Sequence, residues 1–83
     1  MHLPQINING TLRSDLLEDL IVAKRSLEHA IEKLSACSPH GRDYQTYPNG
    51  SLVFYEAQRE HADRIVKVRQ VLAEIATIAE HIV

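Results

Sequence analysis

The residues best suited to chemistry crowd into one stretch, Ser38 to Gly50 (SPHGRDYQTYPNG), which holds His40, Arg42, Asp43, Tyr44 and Tyr47. Arg42 offers a planar fork that suits a phosphate or carboxylate, and Gly41 lets a ligand come close to the backbone. The two tyrosines can stack on a base or anchor a protein partner. Three readings follow. The segment is a protein-binding tip, or a pocket for an anionic, nucleotide-like small molecule held by His40, Arg42 and the tyrosines. In the third, Arg42 and Asp43 satisfy backbone groups while the tyrosines plug the end of a helical bundle.

Histidine offers the next candidates. His29, His61 and His81 each follow a glutamate (Glu28, Glu60, Glu80), which invites a metal site. Di-metal carboxylate bundles need a Glu followed three residues later by a His, and zinc peptidases need two histidines four apart. Neither spacing occurs. His29 and Glu32 stand three apart in the reverse order, so no metal and no cofactor are expected. Cys37 sits at the C-terminal end of a helical pattern, where the dipole disfavours a thiolate, and reads as a small buried side chain. Nothing places a nucleophile against a base, and no glycine-rich phosphate loop precedes a helix, so the chain reads as non-enzymatic.

The elements that must position these residues follow from periodicity. From Phe54, steps of four and three give Phe54, Gln58, His61, Ile65, Val68, Leu72, Ile75, Ala79 and Ile82, an apolar seam interrupted by one polar pair. That spacing predicts a long amphipathic helix over 51–83 that keeps one stripe toward a partner. Leu16, Leu20, Ala23, Leu27, Ala30 and Leu34 repeat the rhythm, and no Pro or Gly interrupts 11–37, which predicts a second long helix. Thr11 and Ser51 are the favoured N-caps. Residues 1–10 form an arm with Leu3, Ile6 and Ile8, expected beside Ala79 and Ile82. Pro39, Gly41, Pro48 and Gly50 make 38–50 a loop.

The expected fold is therefore all-α, a single antiparallel two-helix hairpin with an extended N-terminal arm. Closing it at the loop pairs positions whose numbers sum to about 88, such as Leu34 with Phe54, Leu27 with His61, Leu20 with Val68 and Leu16 with Leu72. His61 and Gln58 then form a buried polar layer, a feature that usually sets register or partner number.

The apolar surface is wider than that seam. Leu12, Leu17 and Ile31 flank the first stripe; Ala57, Val71 and Ile78 flank the second on one shoulder, Ala62 and Ala76 on the other. Three to four apolar positions per heptad is a bundle pattern. A homodimer forming a four-helix bundle is expected, with the chain itself as first partner.

Composition narrows the remaining classes. The net charge is only -2 and charged residues make up 24%, so no overall basic field exists for a nucleic-acid backbone. Arg59, Arg64, Lys67 and Arg69 are spread around their helix among acids, and nucleic acid is not an expected partner. One cysteine excludes an internal disulfide and suits a reducing compartment. Residues 1–10 lack the pattern of a signal peptide, and no apolar run is long enough to cross a bilayer. A cytoplasmic, membrane-free protein is the expectation.

The run Pro39-His40-Gly41-Arg42-Asp43-Tyr44, followed by a helix with Glu60-His61 and Arg64 and an Ile/Ala-rich end, resembles small uncharacterised helical-hairpin proteins encoded by bacteriophages and prophages. The likeness covers the second half of the chain. It implies an accessory protein that binds something of the host, a protein or a nucleotide signal, and it brings no assigned functional residues.

Overall fold

The computed structural model describes residues 1–5 and 12–82, and the regular structure among them is entirely helical. Helix α1 spans Arg13–Ala36 and helix α2 spans Gly50–Ile82, with a short 3₁₀ helix, Gly41–Tyr44, between them. The two long helices fold back on each other as an antiparallel hairpin.

The helix ends differ in detail from expectation. Thr11 lies outside the described residues. The N-cap position of α1 is Leu12, in extended backbone (φ -61°, ψ 138°), and it makes no side-chain cap bond. At the other end α1 stops at Ala36, and Cys37 is the C-cap, its N–H donating to the Leu34 carbonyl at 3.2 Å. Cys37 is exposed, contrary to the buried role expected of it, because the chain has already left the helix there. In α2 the cap is displaced by two residues from Ser51. The Asn49 carbonyl accepts from the N–H groups of Leu52 and Val53, both at 3.1 Å, and Ser51 already lies inside the helix.

The largest difference is register. His61 meets Leu34, a groove joins Leu17 and Ile21 to Ala76 and Ala79, and another joins Arg13 to Ile82. Facing residue numbers therefore sum to about 95, one heptad beyond the expected 88. A seven-residue slide returns the same stripe to the seam, so periodicity cannot tell the two apart. Two physical terms do. In the observed register Ile82 is only 3% exposed. At the loop end, Phe54 packs against Tyr44 of the 3₁₀ helix, with ring centroids 6.0 Å apart, in place of the expected Leu34. The first turns of α2 thus run past the end of α1 and are covered by the connection instead.

Ile6 and Ile8 lie outside the described residues, while Pro4 and Gln5 border the groove with Arg13, His81 and Ile82. The interior is thin. Among the described residues only Ile31, Ile82 and His61 are buried, and no side chain is completely enclosed. Ile31, expected on a flank, is the most buried residue of α1. The molecule measures 64 × 20 × 15 Å, two helices wide and one thick, since a helix with its side chains is about 10–12 Å across.

Candidate functional site

The connection is built by its own backbone. His40 is extended (φ -114°, ψ 141°), and its Nδ1 accepts from the Arg42 N–H at 3.3 Å while its carbonyl accepts from the Asp43 N–H at 3.0 Å. His40 thereby caps the 3₁₀ helix. The Tyr47 N–H then bonds the Tyr44 carbonyl at 3.3 Å, turning the chain toward α2. Gly50 is required at the junction: a Cβ there would lie 2.5 Å from the Tyr44 carbonyl oxygen, which is backbone and cannot yield cheaply. Gly41 is different, because a Cβ there would meet the Phe54 ring at an ordinary 3.8 Å. Its open side is taken by that ring.

Tyr44 sits at the centre of an aromatic cluster. Its ring stacks on Tyr47 at 6.2 Å between centroids and tilts against Phe54. Gly41, Tyr44, Gln45, Tyr47, Gly50, Ser51 and Phe54 line a shallow groove over this cluster. Of the five loop residues singled out from the sequence, Tyr44 and Tyr47 reach that groove. His40, Arg42 and Asp43 do not line it. Arg42 and Asp43 are exposed, and the ion pairs among the described residues, Lys24–Glu28, Arg64–Glu60 and Lys67–Asp63, involve neither. The cations and the aromatic groove thus do not converge on one pocket.

His61 has a role that periodicity did not reveal. Its Nε2 lies 2.6 Å from the carbonyl of Leu34, in the last turn of α1. A carbonyl only accepts, so Nε2 carries the hydrogen. Arg64 Nη1 stands 3.3 Å from Nδ1, and a guanidinium only donates, so Nδ1 presents its lone pair. The last four carbonyls of a helix lack i+4 partners; that of Leu34 accepts from the Cys37 N–H, and His61 adds a second donor from the neighbouring helix. In the expected register His61 would have faced Leu27 in mid-helix. Gln58, its expected polar companion, is exposed beside a small hollow with Ser38, Pro39, Ala62 and Ile65.

Four hydroxyl or thiol groups are tied to backbone. Cys37 Sγ points at the Leu34 carbonyl at 3.3 Å, and the hydroxyls of Ser35, Ser38 and Thr77 donate to Ile31, Ser35 and Ala73 carbonyls. Among the described residues no three His, Cys, Asp or Glu side chains cluster in a way that could hold a metal ion. No helix among them is long and apolar enough to cross a membrane.

The remaining surface has two unlike faces beside the seam. One carries the groove of Leu17, Ile21 and Lys24 with Ala76, Ala79 and Glu80. It is broken by charge, including the Lys24–Glu28 pair at 3.7 Å. Because α1 turns Ile31, its one buried residue, inward, Leu16, Ala23 and Ala30, expected on the seam, lie instead on the opposite face with Ala57, Val71 and Ile78 of α2. All are half-buried except Val71, which is 45% exposed. Arg64 is the one charged residue in the row of Ala57, Val71 and Ile78. Farther round α2, away from α1, Leu52, Tyr55 and Val66 form an exposed apolar line, and the Arg59 guanidinium lies 5.9 Å from the Tyr55 ring centre. Their spacing of three and eleven keeps them on one side of the helix, a signal hidden in the sequence by the stronger seam.

Compared with protein-family models, with curated proteins and with solved structures, the chain matches none.

Proposed function

We propose that this chain is a non-enzymatic interaction protein that works as a homodimer, two hairpins forming a four-helix bundle in the cytoplasm. The observation that carries the reading is the missing interior. The chain exposes 6505 Å², whereas a compact 9.4 kDa monomer exposes roughly 5,000 Å². The excess of about 1,500 Å² is nearly twice the roughly 800 Å² that each partner contributes to a standard interface. Pairing through an apolar face removes it.

Once the bundle has formed, the hairpin tip is the surface left for a different protein. Tyr47, Leu52 and Tyr55 are each more than half exposed there, and aromatic side chains are frequent anchors of protein contacts. The likeness of the second half to phage and prophage proteins supplies the setting, with a host protein as that partner.

Sedimentation equilibrium tests the first half of the reading. The expected mass is twice 9.4 kDa at micromolar concentration, with a melting temperature that climbs as the protein is concentrated. A single-chain mass with a sharp, concentration-independent melt would refute it. Capture from host lysate by the wild type, set against a Tyr47→Ala/Tyr55→Ala variant, tests the second half. Equal recovery of the same partner by both would move the contact off the tip.

A further inference from the structure

We infer that the second copy sits on the face formed by Leu16, Ala23 and Ala30 with Ala57, Val71 and Ile78, and that it lies tip to tail, with the two loops at opposite ends of the bundle. This rests on the self-association proposed above and names its surface and direction.

The choice of face follows from charge. On the other side of the seam the Lys24–Glu28 pair lies along α1, and Arg69 stands on the same shoulder of α2. Burying that side would strip water from these three charges. In the matching row of the chosen face, Ala57, Arg64, Val71 and Ile78, Arg64 is the one charge, and it already has company, with Glu60 at 3.8 Å and the His61 ring at 3.3 Å. Its long stem can lie on apolar surface while the head reaches the rim. The chain's excess of about 1,500 Å² over a compact monomer is more than the roughly 800 Å² each partner gives to a standard interface, so a second copy is the occupant the area calls for.

The direction follows from side-chain size. Along this face the bulky residues, Leu16 and Ile78, stand at the open end of the hairpin; toward the loop come Ala30 and Ala57, with Cys37 just beyond α1. If two copies stacked with loops together, large would meet large at one end and small would meet small at the other. Interaxial distance depends on the side chains at the contact, so the helices would splay. Tip to tail, Leu16 of one copy levels with Cys37 of the other, Ala23 with Ala30, and Ile78 with Ala57. Large then faces small at each end, and the spacing stays even, as close packing requires. The two-fold axis runs across the helices, and each helix meets its own counterpart.

Cys37 is the only cysteine and is exposed, so it provides a single labelling position in the native sequence. A spin label there should report a separation of about 30 Å in the tip-to-tail dimer, given a rise of 1.5 Å per residue. Loops together would give about 15 Å, the diagonal of a bundle with axes about 10 Å apart. The companion measurement is the dimer dissociation constant of Ala23→Glu and of Ala62→Glu, which lies on the other shoulder. Ala23→Glu should weaken the dimer at least a hundredfold and Ala62→Glu by less than threefold. A short Cys37 distance overturns the direction, and the reverse pattern of sensitivity overturns the face. A single-chain mass of the unlabelled protein overturns the self-association beneath both, and so is distinguishable from either failure.

Discussion

Replacing His61 with leucine separates the two forces that hold the hairpin in register. The substitution removes the hydrogen bond from Nε2 to the Leu34 carbonyl, observed at 2.6 Å. A neutral bond of this kind contributes about 0.5–1.5 kcal/mol net. Sliding α2 back by one heptad would carry Ile78, Ala79 and Ile82 past Arg13, the first residue of α1. Ile82 is almost completely buried and Ile78 half-buried, so their exposure costs about 2–5 kcal/mol. The apolar term exceeds the polar one. His61→Leu is therefore expected to hold its register and to change stability by about 1 kcal/mol or less, since leucine recovers apolar burial as the bond is lost. The assay uses Cys37→Ser with cysteines at Ile21 and Ala76, which border one groove, and a short bifunctional thiol reagent. A heptad slide would separate that pair by about 10 Å along the axis. Cross-linking within one chain should persist in His61→Leu and fall away when Ile82→Asp is added. Loss of the cross-link on His61→Leu alone would refute the reasoning and make the hydrogen bond the deciding term.

Four further outcomes are expected. Gly50→Ala should lower stability by about 1–3 kcal/mol, because the clash with the Tyr44 carbonyl outweighs alanine's advantage of about 1 kcal/mol in helix propensity; Gly41→Ala should stay within about 0.5 kcal/mol in the same thermal melts. Leu12→Asp should raise stability by about 1 kcal/mol, since Leu12 holds the N-cap position with no side-chain cap and is 65% exposed; an unchanged melting temperature would count against that cap assignment. Nitrogen NMR of the uncharged His61 ring should report the Nε2–H tautomer set by Leu34 and Arg64, and a protonated Nδ1 would break the proposed arrangement.

Much of the candidate tip was legible in advance. Pro39, Gly41, Pro48 and Gly50 marked the break between the helices, and the tyrosines marked it as unusual. What could not be read was their use. Tyr44 packs on Phe54 because α2 overhangs α1, a consequence of register, and Arg42, on the turn that His40 caps, stays apart from the aromatic groove. Cys37 looked like the next residue of an apolar stripe, but a stripe ends where the helix does, and the last turn stops at Ala36.

By itself the amino-acid order determined two amphipathic helices, the break between them and the stripe of α2 that faces α1; on α1 it marked Leu16, Ala23 and Ala30 for the seam, where the structure turns Ile31 inward and sets those three beside it. Those features depend on local spacing: a 3.5-residue repeat selects a face whatever lies across from it. Tertiary structure alone decided which heptad meets which. A slide of seven residues leaves the pattern unchanged, and only the ends of the hairpin differ between registers. There Ile82 must be covered, Phe54 needs Tyr44, and the Leu34 carbonyl finds His61 across the seam.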